Sequence, residues 1–174
     1  MPSTKHSAVK IPKPVVFLDI DGVLNPHNYE GGGVQSNIIL LEHVRVLNKI
    51  IIGADAEIVL SSAWRYMIPK AMTLKGFEYL LRSHGVAAKD RLIGYTRRDE
   101  KIATRGCQID DWLIKHGYRR YVVIDDGGRD PDTGAWCDLG ITRACHPVVW
   151  VDGAKGLQEY HVDFALGILA AQGS

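Results

Sequence analysis

Short apolar runs alternate along this chain with stretches whose apolar residues recur every three or four positions. Val15 to Ile20 (VVFLDI) is too short for a typical helix and rich in β-formers, which predicts a buried strand. Ser36 to Ile52 places Leu40, Leu41, Val44, Leu47 and Ile51 on one helical face. Glu57 to Leu60 is a second short strand, and Lys70 to His84 a helix with Leu74, Phe77 and Leu81 in register. Arg91 to Ile93 reads as a third strand. Gly106 to His116 reads as a helix with Ile109, Trp112 and Leu113 together. Tyr121 to Ile124 and Pro147 to Val151 are the fourth and fifth strands. Gln158 to Leu169 closes the pattern as a helix with Tyr160, His161, Phe164 and Ile168 on one stripe.

Gly53, Gly85 and Gly117 each follow a helical stretch, where a left-handed C-cap suits glycine. Strands alternating with helices imply right-handed crossovers and a parallel sheet covered on both faces. The expected fold is therefore α/β, a three-layer α/β/α sandwich with a central parallel sheet. The polar, proline-containing stretch 1–13 reads as a flexible arm, leaving 14–174 as one domain. No internal repeat interrupts it. Gly31-Gly32-Gly33 lacks the spacing of a phosphate-binding loop.

Composition changes this picture little. A hydrophobic fraction of 46% and a charged fraction of 24% exclude wholesale disorder in a chain of 174 residues. Lys plus Arg number 21 and Asp plus Glu 20, which excludes a uniformly basic nucleic-acid coat protein but not a local basic patch. No apolar run reaches the ~18 residues of a membrane span, and Met1 to Pro14 lacks the apolar core of a secretory signal. Cys107, Cys137 and Cys145 form neither a disulfide framework nor a paired metal motif, so a cytoplasmic setting is expected.

The informative residues stand where the strands end. In parallel α/β sheets, ligands bind beyond the carboxyl ends of the strands. The first strand runs into Asp19-Ile20-Asp21-Gly22, the second into Ser61-Ser62-Ala63-Trp64-Arg65, and the fourth into Asp125-Asp126-Gly127-Gly128. Each alone is an ordinary turn or cap; three at successive strand ends call for a shared cause. Carboxylates gathered at one edge repel each other unless a cation neutralises them. Oxygen-only clusters suit Mg²⁺, and an acidic cluster with a hydroxyl and cationic side chains suits phosphoryl transfer.

These motifs resemble the haloacid dehalogenase (HAD) superfamily of phosphohydrolases. Val16-Phe17-Leu18-Asp19-Ile20-Asp21-Gly22 is similar to the first family motif, Ile58-Val59-Leu60-Ser61 to the second, and Val122-Val123-Ile124-Asp125-Asp126 to the fourth. For the third, a cation before the fourth strand, Arg105 fits best, with Lys101 and Lys89 as alternatives. Ser61 to Arg65, with Ile109-Asp110-Asp111-Trp112-Leu113, is most similar to small capless members, some of which occur in bacterial RNA-repair proteins. The resemblance implies a HAD-like Rossmannoid core. Asp19 is then the nucleophile, forming an aspartyl-phosphate, and Asp21 the general acid and base. Mg²⁺ is held by Asp19, the main-chain carbonyl of Asp21, Asp126 and Asp125. Ser61 binds a phosphoryl oxygen, with Ser62 beside it, and Arg105 offsets charge.

Other residues stay open. Arg65 is either a surface arginine starting a helix or a phosphate contact at the rim. Asp130 is a fourth-motif carboxylate or part of a turn, and His27 a substrate contact or a solvated loop residue. His146 reads as a loop end. Trp64, Trp112, Trp136 and Trp150 read as packing residues, and Asp152 as a cap for the final helix.

Neither Gly22–Ser61 nor Ser62–Arg105 has room for a folded cap domain, so the site is expected to be open. Open sites favour bulky substrates such as nucleic-acid ends. Residues 89–105 hold Lys89, Arg91, Arg97, Arg98, Lys101 and Arg105 against Asp90, Asp99 and Glu100, which suggests a basic rim tracking phosphates, with Arg97 and Arg98 touching substrate. The leading expectation is a Mg²⁺-dependent phosphatase acting on a phosphorylated polynucleotide end. A small-molecule phosphatase or nucleotidase is the near alternative, and a catalytically silent HAD-like binding module the distant one.

Overall fold

The computed structural model describes residues 12–27, 38–97, 104–127 and 146–173. Its centre is a five-stranded sheet. Strand β1 covers Val15–Leu18, β2 Glu57–Leu60, β3 Leu92–Tyr95, β4 Tyr121–Asp125 and β5 Val148–Trp150. They lie in the order β3-β2-β1-β4-β5, with every pairing parallel. The chain winds outward from β1 through β2 to β3, then returns to the other side of β1 for β4 and β5. The strand order thus reverses between β1 and β4, where open α/β sheets bind their ligands.

Each strand is apolar on both faces because both are covered. Val16, Leu18, Ile58, Leu60, Val122 and Ile124 join one apolar cluster. Helices α1 (Leu41–Gly53), α2 (Leu74–Ser83) and α4 (Tyr160–Ala171) supply its other half. Val15, Phe17, Val59, Val123 and Val148 face the opposite way, onto Ile109, Trp112 and Leu113 of α3 (Arg105–His116). Phe17 meets Trp112 and Tyr121 edge-on at centroid distances of 5.5 and 5.6 Å. Such pairs are worth about 0.5–1.5 kcal/mol beyond their buried area. The three-layer α/β/α sandwich is therefore the observed fold. Among the described residues, no helix is long and apolar enough to cross a membrane.

Several element boundaries differ from expectation for local reasons. Helix α1 begins at Leu41 rather than Ser36. Leu40 is extended and Leu41 is 53% exposed, so the buried stripe starts at His43 and Val44. Helix α2 begins at Leu74 because the Thr73 hydroxyl accepts from the Gly76 N–H at 3.1 Å, an N-cap that sequence periodicity does not reveal. The stripe expected on α4 is rotated. Tyr160 and Phe164 are exposed, and the buried face is His161, Val162, Ala165 and Leu169. Gly53 closes α1 without a left-handed conformation, while Gly117 follows α3 with φ of 84°. Asp152 does not cap α4. Its carboxylate accepts from the Ala154 N–H at 3.1 Å, within the turn after β5. The proposed arm lies outside the described residues apart from Pro12 and Lys13.

Between Gly22 and Ser61 the described residues form α1 and β2. Between Ser62 and Arg105 they form a short 3-10 helix (Ala63–Met67), α2 and β3.

Candidate active site

The parallel ladder runs one residue past the strands and carries polar groups to the sheet edge. The Asp19 N–H donates to the Ile124 carbonyl (3.0 Å), Ser61 to Leu18 (2.8 Å) and Thr96 to Leu60 (2.9 Å). Side chains alternate along a strand, so Asp19, two residues beyond Phe17, lies toward α3, as does Asp125, two beyond Val123. The first residue of α3 meets them there. Arg105 Nη1 donates to Asp19 Oδ2 at 2.6 Å and to Asp125 Oδ2 at 2.5 Å. The Thr104 hydroxyl, accepting from the Cys107 N–H at 3.3 Å, sets where the helix begins and hence where Arg105 points.

Around this pair the carboxylates converge. Oxygen atoms of Asp19, Asp125 and Asp126 lie within 4.8 Å of one another, and all three residues are buried. Asp19 Oδ1 accepts from the Ile20 N–H (2.7 Å), and Asp125 Oδ1 from the Gly127 N–H (2.8 Å). Asp126 Oδ2 pairs with His27 Nε2 at 3.0 Å. Two glycines make room for that carboxylate. A Cβ on Gly22, whose φ is +74°, would stand 2.1 Å from Asp126 Oδ2, and one on Gly153 would stand 2.6 Å from it.

The electrostatics reflect crowding. Burial pushes the Asp19 carboxyl above its ordinary value, opposed by Arg105. Burial, aided by the charge of Asp19, pushes Asp125 up to about 7. Burial alone would lower Arg105, but Asp19 and Asp125 outweigh it and hold the guanidinium firmly charged. The hydrogen bond to Asp126 raises His27 against the effect of its burial. Three buried carboxylates thus face one guanidinium and one imidazole. This all-oxygen, excess-negative set fits a hard divalent cation such as Mg²⁺.

Asp21 stands apart from this cluster. Its Oδ1 accepts from Asn25 Nδ2 at 2.8 Å and from Trp64 Nε1 at 2.9 Å. Ser61 is fully buried and, among the described residues, its hydroxyl has no hydrogen-bond partner, and the Thr96 hydroxyl on the neighbouring strand end is in the same state. Buried hydroxyls left unpaired cost about 1–3 kcal/mol, so both are poised for a further acceptor or donor.

Other expectations need correction. Arg65 is not a surface residue. It is 5% exposed and donates to the Ser62 carbonyl (2.8 Å) and Gln108 Oε1 (2.9 Å), tying the 3-10 helix to α3. Ser62 is the N-cap of that 3-10 helix, its Oγ accepting from the Trp64 N–H. Lys89 and Arg91 precede β3 and so lie at the opposite sheet edge, where Arg91 pairs with Asp55 at 2.8 Å. Among the described candidates for the third-motif cation, only Arg105 reaches the carboxylates. Arg97 is exposed just beyond Thr96. Arg98, Lys101, Asp130, Trp136 and the Gly31–Gly33 stretch lie outside the described residues. His146 is buried against the Tyr121 hydroxyl (3.1 Å).

Asn25, Gln108, Thr96 and the indole N–H of Trp64 escaped sequence reasoning. The only signal for Trp64 was its place three residues after Ser61, together with the need of a half-buried indole for an acceptor.

The model of the HAD domain in Swiss Army Knife RNA repair proteins matches residues 15–162. The chain belongs to this family. No curated protein matches it, and no solved structure does. The matched span of this HAD domain runs from β1 into α4 and includes every residue of the carboxylate cluster. Its architecture and its buried acidic edge are those of a HAD-type phosphohydrolase.

Proposed function

We propose that the chain is a Mg²⁺-dependent phosphomonoesterase that works through an aspartyl-phosphate on Asp19 and acts on phosphorylated nucleic-acid ends. The observation that carries this reading is the joint placement of Asp19, Asp125 and Asp126 around Arg105, with Asp21 two residues from Asp19 but outside the cluster. Asp19, Asp125, Asp126 and the main-chain carbonyl of Asp21 would hold the metal. When bound, Mg²⁺ supplies charge neutralisation that lets an anionic carboxylate approach an anionic phosphate.

A carboxylate oxygen of Asp19 attacks phosphorus, and the bond to the leaving oxygen breaks. That oxygen keeps the electron pair and takes a proton from Asp21. Asp21, now a carboxylate, then removes a proton from the water that attacks phosphorus. The bond from Asp19 to phosphorus breaks, and its electron pair returns to Asp19. The unpaired Ser61 hydroxyl binds a phosphoryl oxygen, and Arg105 offsets charge on the phosphoryl group.

The nucleic-acid part of the reading is supported by the kind of proteins in which the family occurs and by the absence of a cap among the described residues of the two intervals. The test is phosphate release, with and without Mg²⁺, from 3′- and 5′-phosphorylated oligonucleotides, mononucleotides and sugar phosphates. Release from an oligonucleotide end that requires Mg²⁺ and is lost in Asp19→Asn supports the reading. Activity confined to small molecules overturns the substrate assignment, and full activity of Asp19→Asn overturns the nucleophile.

A further inference from the structure

Asp21 and Trp64 are 43 residues apart in the chain, yet the indole N–H of one ends on a carboxylate oxygen of the other. We propose that Trp64 is a positioning residue for proton transfer: with Asn25 it pins one oxygen of Asp21, so that the other oxygen alone exchanges the proton with the leaving group. The proposal rests on the phosphatase reading above.

Both donors converge on the same atom. Trp64 Nε1 lies 2.9 Å and Asn25 Nδ2 2.8 Å from Asp21 Oδ1, while Oδ2 has no hydrogen bond among the described residues. An indole N–H and an amide N–H₂ only donate. The oxygen that receives both is therefore the carbonyl-type oxygen whenever Asp21 is protonated, and the acidic proton resides on Oδ2. Two donors on one oxygen also fix the plane of a carboxyl group that otherwise turns about a broad side-chain torsion.

Trp64 itself is firmly mounted. Its backbone N–H donates to Ser62 Oγ at 3.3 Å, and its ring meets Phe77 edge-on at 6.5 Å. Its neighbour Arg65 ties the same short helix to the Ser62 carbonyl and to Gln108 of α3. The frame that holds the indole therefore spans the end of β2 and the start of α3, the element that also presents Arg105. General acid catalysis needs its proton within hydrogen-bond reach of the leaving oxygen, and misplacement by about 1 Å can cost about 10²-fold.

The experiment compares leaving groups. Trp64→Phe keeps an aromatic ring and deletes the N–H. With an alkyl phosphate, whose alkoxide must be protonated, kcat/KM should fall about 10- to 100-fold. With 4-nitrophenyl phosphate, whose leaving group departs without a proton, it should fall less than about threefold. Because kcat/KM reports steps only through the first irreversible cleavage, slow hydrolysis of the aspartyl-phosphate does not mask the difference. In an Asp21→Asn background the same substitution should add no further loss. Should Trp64→Phe fail to fold, 3-benzothienylalanine at position 64 replaces the N–H by sulfur at nearly unchanged shape, and the same comparison is read. An equal fall on both substrates, or none on either, overturns the positioning role while leaving the phosphatase reading intact. A wild-type protein that releases phosphate neither from these substrates nor from a phosphorylated oligonucleotide end overturns both.

Discussion

Asp19 and Asp21 are two residues apart on one strand extension, yet they occupy opposite environments. Asp19 is 4% exposed, bound by a guanidinium and crowded by two further carboxylates. Asp21 is half-buried and, among the described residues, bound only by neutral donors. In the proposed mechanism this difference divides the labour. A nucleophile must stay ionised and desolvated beside a cation. A proton carrier must change charge without disturbing a metal, and it does so best outside the cluster. Two carboxylates of the same chemistry are separated by surroundings rather than by sequence.

The largest test of this contrast is Asp19→Asn, which removes the proposed attacking oxygen while leaving the size of the side chain. Activity should fall on the order of 10³-fold or more on every substrate, whatever its leaving group. Asp21→Asn should fall less, about 10²- to 10³-fold, with the loss concentrated on poor leaving groups when kcat/KM is compared across a series. Equal losses for both variants across that series would erase the distinction.

Arg105→Met should be next in order. It leaves Asp19, Asp125 and Asp126 together in a buried space with no guanidinium. Losing one partner of a buried pair typically costs about 3–5 kcal/mol, and the residual exposure of Arg105 places the expected loss near the lower figure. Chemical denaturation at pH 8 would measure it. At pH 5 the penalty should shrink, because Asp125 then carries a proton.

The smallest effect is the pH dependence of the wild-type protein. Asp125 is raised from 3.8 to about 7 in the folded state, so folding favours its protonated form. That contribution is fully present below about pH 4 and is lost as pH rises through 7. His27, also raised by its partner, has the same sign. Metal-free protein should therefore lose a few degrees in Tm between pH 5.5 and 8, and Mg²⁺ should restore more at pH 8 than at pH 5.5. A Tm that rises with pH in metal-free buffer would contradict the crowding of the cluster.

Much of this is readable in the sequence itself. Continuous apolar runs such as Val15–Leu18 and Tyr121–Ile124 identify strands buried on both faces, and the acids that terminate them lie where ligands bind. Arg105 was identifiable through its resemblance to the third family motif. What stayed hidden depends on distant partners. The burial of Arg65 requires Gln108, 43 residues away, and the contact between Trp64 and Asp21 requires the 3-10 helix to fold back over the first strand's end. The face of α4 was misread because Tyr160 and Phe164 are apolar at helical spacing yet exposed, with Val162 and Ala165 packing inward. Periodicity gives the existence of a stripe more reliably than its rotation about the axis.

The place of Asp126 has a consequence for anyone mapping this protein by mutation. Its carboxylate fills volume left vacant by Gly22 and Gly153, so a methyl group at either position would collide with it. Neither glycine has a side chain that could ligate, donate or attack. A survey that ranks positions by the functional group they supply would pass over both, while a selection for living variants would find them nearly as intolerant as the aspartate they surround.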